Sequence, residues 1–201
     1  MSEAAGTETG LQSSWPAEPA GKPPEKRSKL AFVRELPVLI VIAFVLALLM
    51  KTFLVQAFYI PSESMEPTLH GCTGCNGDRV LVNKFIYRIR PPAPGEIIVL
   101  HPPTNADRNY IKRVVAVAGQ TVRINDGRVY VNGQPLREPY VHVTTTGSYG
   151  PQAVPADDVF VLGDNRGNSE DSRAFGFVPV GSIVGEAVVI YWPPPRFRIL
   201  F

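Results

Sequence analysis

The chain is poor in the side chains that most often carry chemistry. Among its 201 residues are two cysteines and three histidines. Cys72 and Cys75 form a solitary C-x-x-C pair. A structural zinc site ordinarily takes four Cys or His ligands, and no second pair exists, so no metal is expected. No βαβ pattern surrounds the pair, which argues against a thioredoxin-like redox site. Two readings stay open: a local disulfide if the segment lies in an oxidising compartment, or two free thiols in a loop. His70, His101 and His142 sit in no motif that would make one of them a base. Long runs of one charge sign are also missing, and the formal net charge is only +2. That leaves no electrostatic case for nucleic acid as a partner. No internal repeat and no cofactor motif is visible.

Proline and glycine are plentiful instead, 20 and 17 residues, scattered among short apolar runs. This punctuation suits turn-rich β structure better than a helical bundle. Residues 1–35 read as a disordered cytoplasmic tail, rich in Ala, Gly, Ser, Pro and Glu without apolar periodicity. Residues 36–60 are almost wholly apolar, interrupted by Lys51, Thr52 and Gln56. A membrane-spanning helix over residues 36–58 is expected, since about 20 such residues cross the hydrocarbon core. Pro37 fits its first turn, and Lys51 can carry its ammonium to the interface. A cleavable leader is the competing reading, supported by the basic residues ahead of the run and by Val55-x-Ala57 after it. The long preceding segment and the length of the run oppose it. Lys22, Lys26, Arg27, Lys29 and Arg34 precede the span, while the next basic residue after Ile60 is Arg79. The positive-inside rule then puts the N-terminus in the cytoplasm and residues 59–201 outside, on a single-pass anchor in the lipid bilayer.

Beyond the span, β-branched runs bounded by Gly and Pro predict strands at residues 79–82, 96–100, 111–117, 159–162 and 182–192. Residues 121–124 and 128–131 flank Asn125-Asp126-Gly127, a strong hairpin signal, and Asn132-Gly133 marks a further turn.

Four motifs follow in order along this β region. They are Pro61-Ser62-Glu63-Ser64-Met65-Glu66-Pro67-Thr68-Leu69, Gly77-Asp78-Arg79-Val80, Lys112-Arg113-Val114-Val115, and Gly163-Asp164-Asn165-Arg166-Gly167-Asn168-Ser169-Glu170-Asp171-Ser172-Arg173. A serine hydroxyl needs a base to become a nucleophile, and a desolvated lysine can serve. In isolation each motif reads as a loop or a strand lysine; as a series they closely resemble bacterial type I signal peptidases, over roughly residues 53–192. The resemblance implies a membrane-bound serine endopeptidase of the cell membrane that removes signal peptides from exported preproteins after small residues. It matches Ser64 to the nucleophile, Lys112 to the general base, Ser62 to the oxyanion-hole hydroxyl and Ser169 to the serine that orients the lysine amine.

The resemblance also implies an extended substrate bound by strand addition, with Phe58, Ile60, Met65, Leu69, Tyr110 and Ile111 in the matching places. The implied fold is mainly β, an antiparallel catalytic domain with a small inserted β module at residues 119–157. Asp164, Arg166, Asp171 and Arg173 read as ion pairs that fix the loop carrying Ser169, and Asp78 as a turn residue. Cys72 and Cys75 depart from the family pattern. Two alternatives compete. A self-cleaving Ser-Lys protease of the repressor type lacks its helix-turn-helix domain here. A peptide-binding module without catalysis is opposed by the complete set of Ser62, Ser64, Lys112 and Ser169.

Overall fold

A computed structural model describes residues 29–142 and 147–200. The expected disordered tail falls outside these residues up to position 28, and from Lys29 onward it is helical. Helix α1 (Lys29–Phe53) carries Pro37 within it. The helix expected to continue to residue 58 ends at Phe53, because Val55–Tyr59 forms strand β1, antiparallel to β2 (Arg79–Asn83). An unbroken apolar run has no period of its own, so the available pairing partner decides between helix and strand. Where side chains of α1 are described, at residues 35–49, they are exposed. Among the described residues no helix is long and apolar enough to cross a membrane.

The β region continues with β3 (Ile97–Leu100), β4 (Tyr110–Val117), β5 (Thr121–Asn125), β6 (Arg128–Val131), β7 (Gln134–Pro135) and β8 (Tyr149–Ala153). Then come β9 (Asp158–Leu162), a short helix α2 (Ser172–Phe175), β10 (Val178–Pro179), β11 (Ile183–Trp192) and β12 (Arg198–Ile199). One sheet runs β1-β2-β11-β3-β4-β9-β10, with β12 on β11; the second runs β7-β6-β5-β8. Every pairing is antiparallel. The second sheet is thus built wholly from residues between β4 and β9. Its β5–β6 hairpin closes through Asp126 and Gly127, both at positive φ (47° and 76°), the tight turn that right-twisted strands favour.

Apolar side chains cover both faces of the main sheet, which is why its strands read as unbroken apolar runs rather than alternating ones. Along β3, Ile97 and Val99 join one cluster with Ile60, Met65, Leu69, Val80 and Val82. Ile98 and Leu100 join another with Val114, Val159 and Val161. A third cluster packs Val122, Ile124 and Val129 of the small sheet against Val115, Phe160 and Leu162 of the main one. The small sheet is therefore docked through a shared core.

Candidate active site

Ser64 lies in a 3-10 turn (Glu63–Met65) that follows β1. Two fully buried side chains, Met65 and Leu69, root this turn in the core beneath β2 and β3. The Gly163 segment holds it from the other side. Asn165 N–H donates to the Ser64 carbonyl (3.1 Å), Asn165 Nδ2 to the Glu63 carbonyl (3.1 Å) and Asn168 Nδ2 to Glu63 Oε2 (3.2 Å). A side chain at Gly163 would collide with the Ser64 carbonyl and with Ser169, so only glycine permits this approach.

Lys112 reaches the same point from β4. Its Nζ donates to Ser64 Oγ at 2.8 Å, and the residue is only 3% exposed. Burial pushes its pKa from 10.5 down to about 8, with the negative charges of Asp171, Glu170 and Asp164 opposing the shift. Ser62 Oγ lies 3.4 Å from Ser64 Oγ. A poor nucleophile and an amine whose charge is disfavoured by burial are thereby brought together, the arrangement needed for nucleophilic catalysis.

Arg113, next along β4, points to the other face, as strand alternation requires. Its guanidinium makes a two-pronged ion pair with Asp164 (2.9 and 2.6 Å), donates to the Gly95 carbonyl and stacks 3.9 Å over the Tyr140 ring. Asp171 is fully buried; it accepts from Gly163 N–H and from Arg173, and it caps α2. Arg166 donates to the Gly163 carbonyl and pairs with Glu138. These charges sit behind the site and fix the loop that grips Ser64.

Three expectations are corrected. The Ser169 hydroxyl is buried without a hydrogen-bond partner and does not hold the lysine amine, whose described hydrogen bond goes to Ser64. Met65 and Leu69 do not face a substrate cleft; the 3-10 turn directs both into the core. Phe58, Ile60, Tyr110 and Ile111 do line a cleft of about 500 Å³ that also borders Ser62, Ser64 and Lys112. Asp78 is more than a turn residue. It is fully buried, accepts from His70 N–H (2.7 Å) and pairs with Arg196 (2.7 and 2.9 Å). Sequence reasoning also missed Glu138, Asn165 and Asn168 as supports of the site. Glu138 and Arg196 meet partners far along the chain, which no local pattern reveals; the two asparagines lay inside a recognised motif and were passed over. Cys72 and Cys75 are joined as a disulfide in the loop between Leu69 and β2.

Comparison with known proteins bears on this geometry. The family described as "Signal peptidase, peptidase S26" matches residues 33–192. A signal peptidase I from Leptolyngbya laminosa is 44% identical over 90% of this chain and 89% of its own length. Signal peptidase I of Mycobacterium tuberculosis is 39% identical over 88% of this chain and 77% of its own. A crystal structure of a signal peptidase I from Enterococcus faecalis V583 is 32% identical, covering 50% of this chain and 99% of that one with a TM-score of 0.45. The extent of the family match and of these two relatives establishes that the chain belongs to the signal peptidases of peptidase family S26.

Proposed function

We propose that this serine endopeptidase cleaves signal peptides from exported preproteins with Ser64 as nucleophile and Lys112 as general base. The observation that carries the reading is the 2.8 Å hydrogen bond between a buried lysine amine and the Ser64 hydroxyl. With its amine neutral, Lys112 takes the Ser64 proton as Oγ attacks the scissile carbonyl carbon. The developing oxyanion would be met by the Ser62 hydroxyl and the Ser64 backbone N–H. Lys112 then gives its proton to the departing amine, leaving an acyl-enzyme on Ser64. It next takes a proton from the water that hydrolyses the ester.

The cleft beside these groups suits an extended apolar peptide. Phe58, Ile60, Tyr110 and Ile111 all border it. Small residues ahead of the cleaved bond fit shallow apolar walls, and main-chain pairing would supply affinity.

An N-terminal anchor in the cell membrane completes the proposal. Its support is the apolar sequence of residues 36–50, the exposure of the side chains described at 35–49, and the five basic residues ahead of them. That charge asymmetry favours a cytoplasmic N-terminus and an extracytoplasmic β region. The test is to incubate the purified chain with a secreted precursor and sequence the N-terminus of the product. Release of a mature chain cut after a small residue supports the reading; retention of uncut precursor supports a binding module instead.

A further inference from the structure

The loop between Leu69 and β2 brings three potential metal ligands together. The ring of His70 and the sulfurs of Cys72 and Cys75 offer donor atoms that all lie within 4.8 Å of one another. His70 Nδ1 bonds to Glu66 Oε1 at 2.5 Å, while His70 Nε2 lies 3.9 Å from Cys75 Sγ. A carboxylate on Nδ1 fixes the tautomer that leaves the Nε2 lone pair free, and it turns that lone pair towards the sulfurs. This is the outer-shell arrangement that metal-bound histidines use. A solitary C-x-x-C pair offers two ligands, and His70, two residues before it, offers a third.

We propose that the reduced form of this loop is a Zn²⁺ site with His70, Cys72 and Cys75 as ligands and a fourth position open to water. Metal–sulfur bonds of about 2.3 Å and metal–nitrogen bonds of about 2.0–2.1 Å in a tetrahedron separate neighbouring donors by roughly 3.5–3.8 Å. The Nε2 to Sγ separation is already close to this. With Cα atoms 5.4 Å apart, the two sulfurs reach it by side-chain rotation once the bond between them is broken. A dithiol reductant breaks it by exchange: the reductant becomes the disulfide, and Cys72 and Cys75 become thiols. Both thiols release their protons to solvent as Zn²⁺ binds, and the two thiolates balance the charge of the ion.

The loop keeps its shape without the disulfide, because its neck is fastened separately. His70 N–H donates to the Asp78 carboxylate, Asp78 N–H to the His70 carbonyl (2.8 Å), and Arg196 clamps Asp78 from outside. The His70 side chain is 43% exposed, so an ion has a path in. The loop also touches the cleft, since the Tyr59 hydroxyl donates to the Cys75 carbonyl (2.7 Å) and Tyr59 lines the cleft wall. Disulfide and metal are therefore mutually exclusive states of one loop.

Titration of the full chain in detergent with Co²⁺ as a spectroscopic probe tests this, followed by displacement with Zn²⁺. After reduction by a dithiol and removal of the reductant, one equivalent should bind, with a thiolate-to-cobalt charge-transfer band that Zn²⁺ abolishes. The oxidised chain should bind none. Cys72→Ser and Cys75→Ser should each eliminate the band, and Glu66→Gln should weaken binding by about 10–100-fold as an outer-shell change. His70→Gln should weaken it at least as much. Absence of a stoichiometric band in the reduced chain overturns the site. Unchanged affinity in His70→Gln overturns the three-ligand assignment.

Discussion

Lys112 sets a conflict between stability and chemistry at the scale of one side chain. The proposed base role needs a neutral amine, and burial favours that form by lowering the pKa to about 8. Activity should therefore rise with pH through about 8, and a pH–rate profile should lose this limb in Lys112 variants. Lys112→Arg should be inactive, because a guanidinium stays charged throughout this range. The same shift has a thermodynamic sign. Between about pH 8 and 10.5 the unfolded chain binds a proton that the folded chain does not, so folding stability gains as pH rises across that window. At neutral pH the folded protein carries the cost of a buried ammonium, on the order of 3 kcal/mol. Lys112→Met should remove that cost, giving an inactive protein with a melting temperature at pH 7 no lower than the parent's. A marked fall would show that the lysine is held by stronger favourable contacts than its bond to Ser64. Ser62→Ala should slow processing by about 10²–10³-fold, the usual loss for one oxyanion donor; a parental rate would remove Ser62 from the mechanism.

At the scale of elements, most strands could be read from the chain, and the exceptions have a common cause. β-branched runs bounded by Gly and Pro marked β2, β3, β4, β9 and β11 to within a residue or two, and Asn125-Asp126-Gly127 marked the β5–β6 hairpin. β1 was hidden because Val55–Tyr59 continues the apolar run of α1, and only pairing with β2 reveals it. β8 (Tyr149–Ala153) contains Gly150, Pro151 and Gln152, a poor strand sequence that the ladder with β5 overrides. The loop from Gly163 to Arg173 was legible as a motif, but not as a clasp, because its partners Glu63, Glu138 and Arg113 come from distant elements. Arg113 and Asp164 form a buried pair, and removing one partner strands the other charge. Asp164→Ala should destabilise the protein by about 3–5 kcal/mol in denaturant melts. A loss below about 1 kcal/mol would mean that the pair is solvated and the loop is fixed by other contacts.

Over the whole molecule, the order of the motifs was more informative than any single element. Ser64 follows β1, Lys112 lies on β4 and the Gly163 segment follows β9, three distant places that meet through the Lys112–Ser64 and Asn165–Ser64 hydrogen bonds. Sequence reasoning singled out Ser64 and Lys112 through that series, and their side chains do meet, yet it assigned Ser169 a bond the structure does not form and faced Met65 and Leu69 outward. Both errors concern side-chain direction, which depends on the 3-10 turn and on how closely Gly163 approaches Ser64. The anchor proposed for the N-terminal region carries its own test. Protease added to intact spheroplasts should digest the chain after Ile60 and spare the residues before the apolar run, and the reverse pattern would contradict the topology.

The central claim is that Ser64, activated by Lys112, cuts the precursor. Single-turnover processing of a secreted precursor by the parent chain and by Ser64→Ala, at equal enzyme and at pH 8 or above, tests it most directly. The account predicts mature product from the parent and a loss of roughly 10⁴-fold or more in Ser64→Ala, with the folded state preserved because only one oxygen is removed. Processing by Ser64→Ala at a rate near the parent's would contradict it.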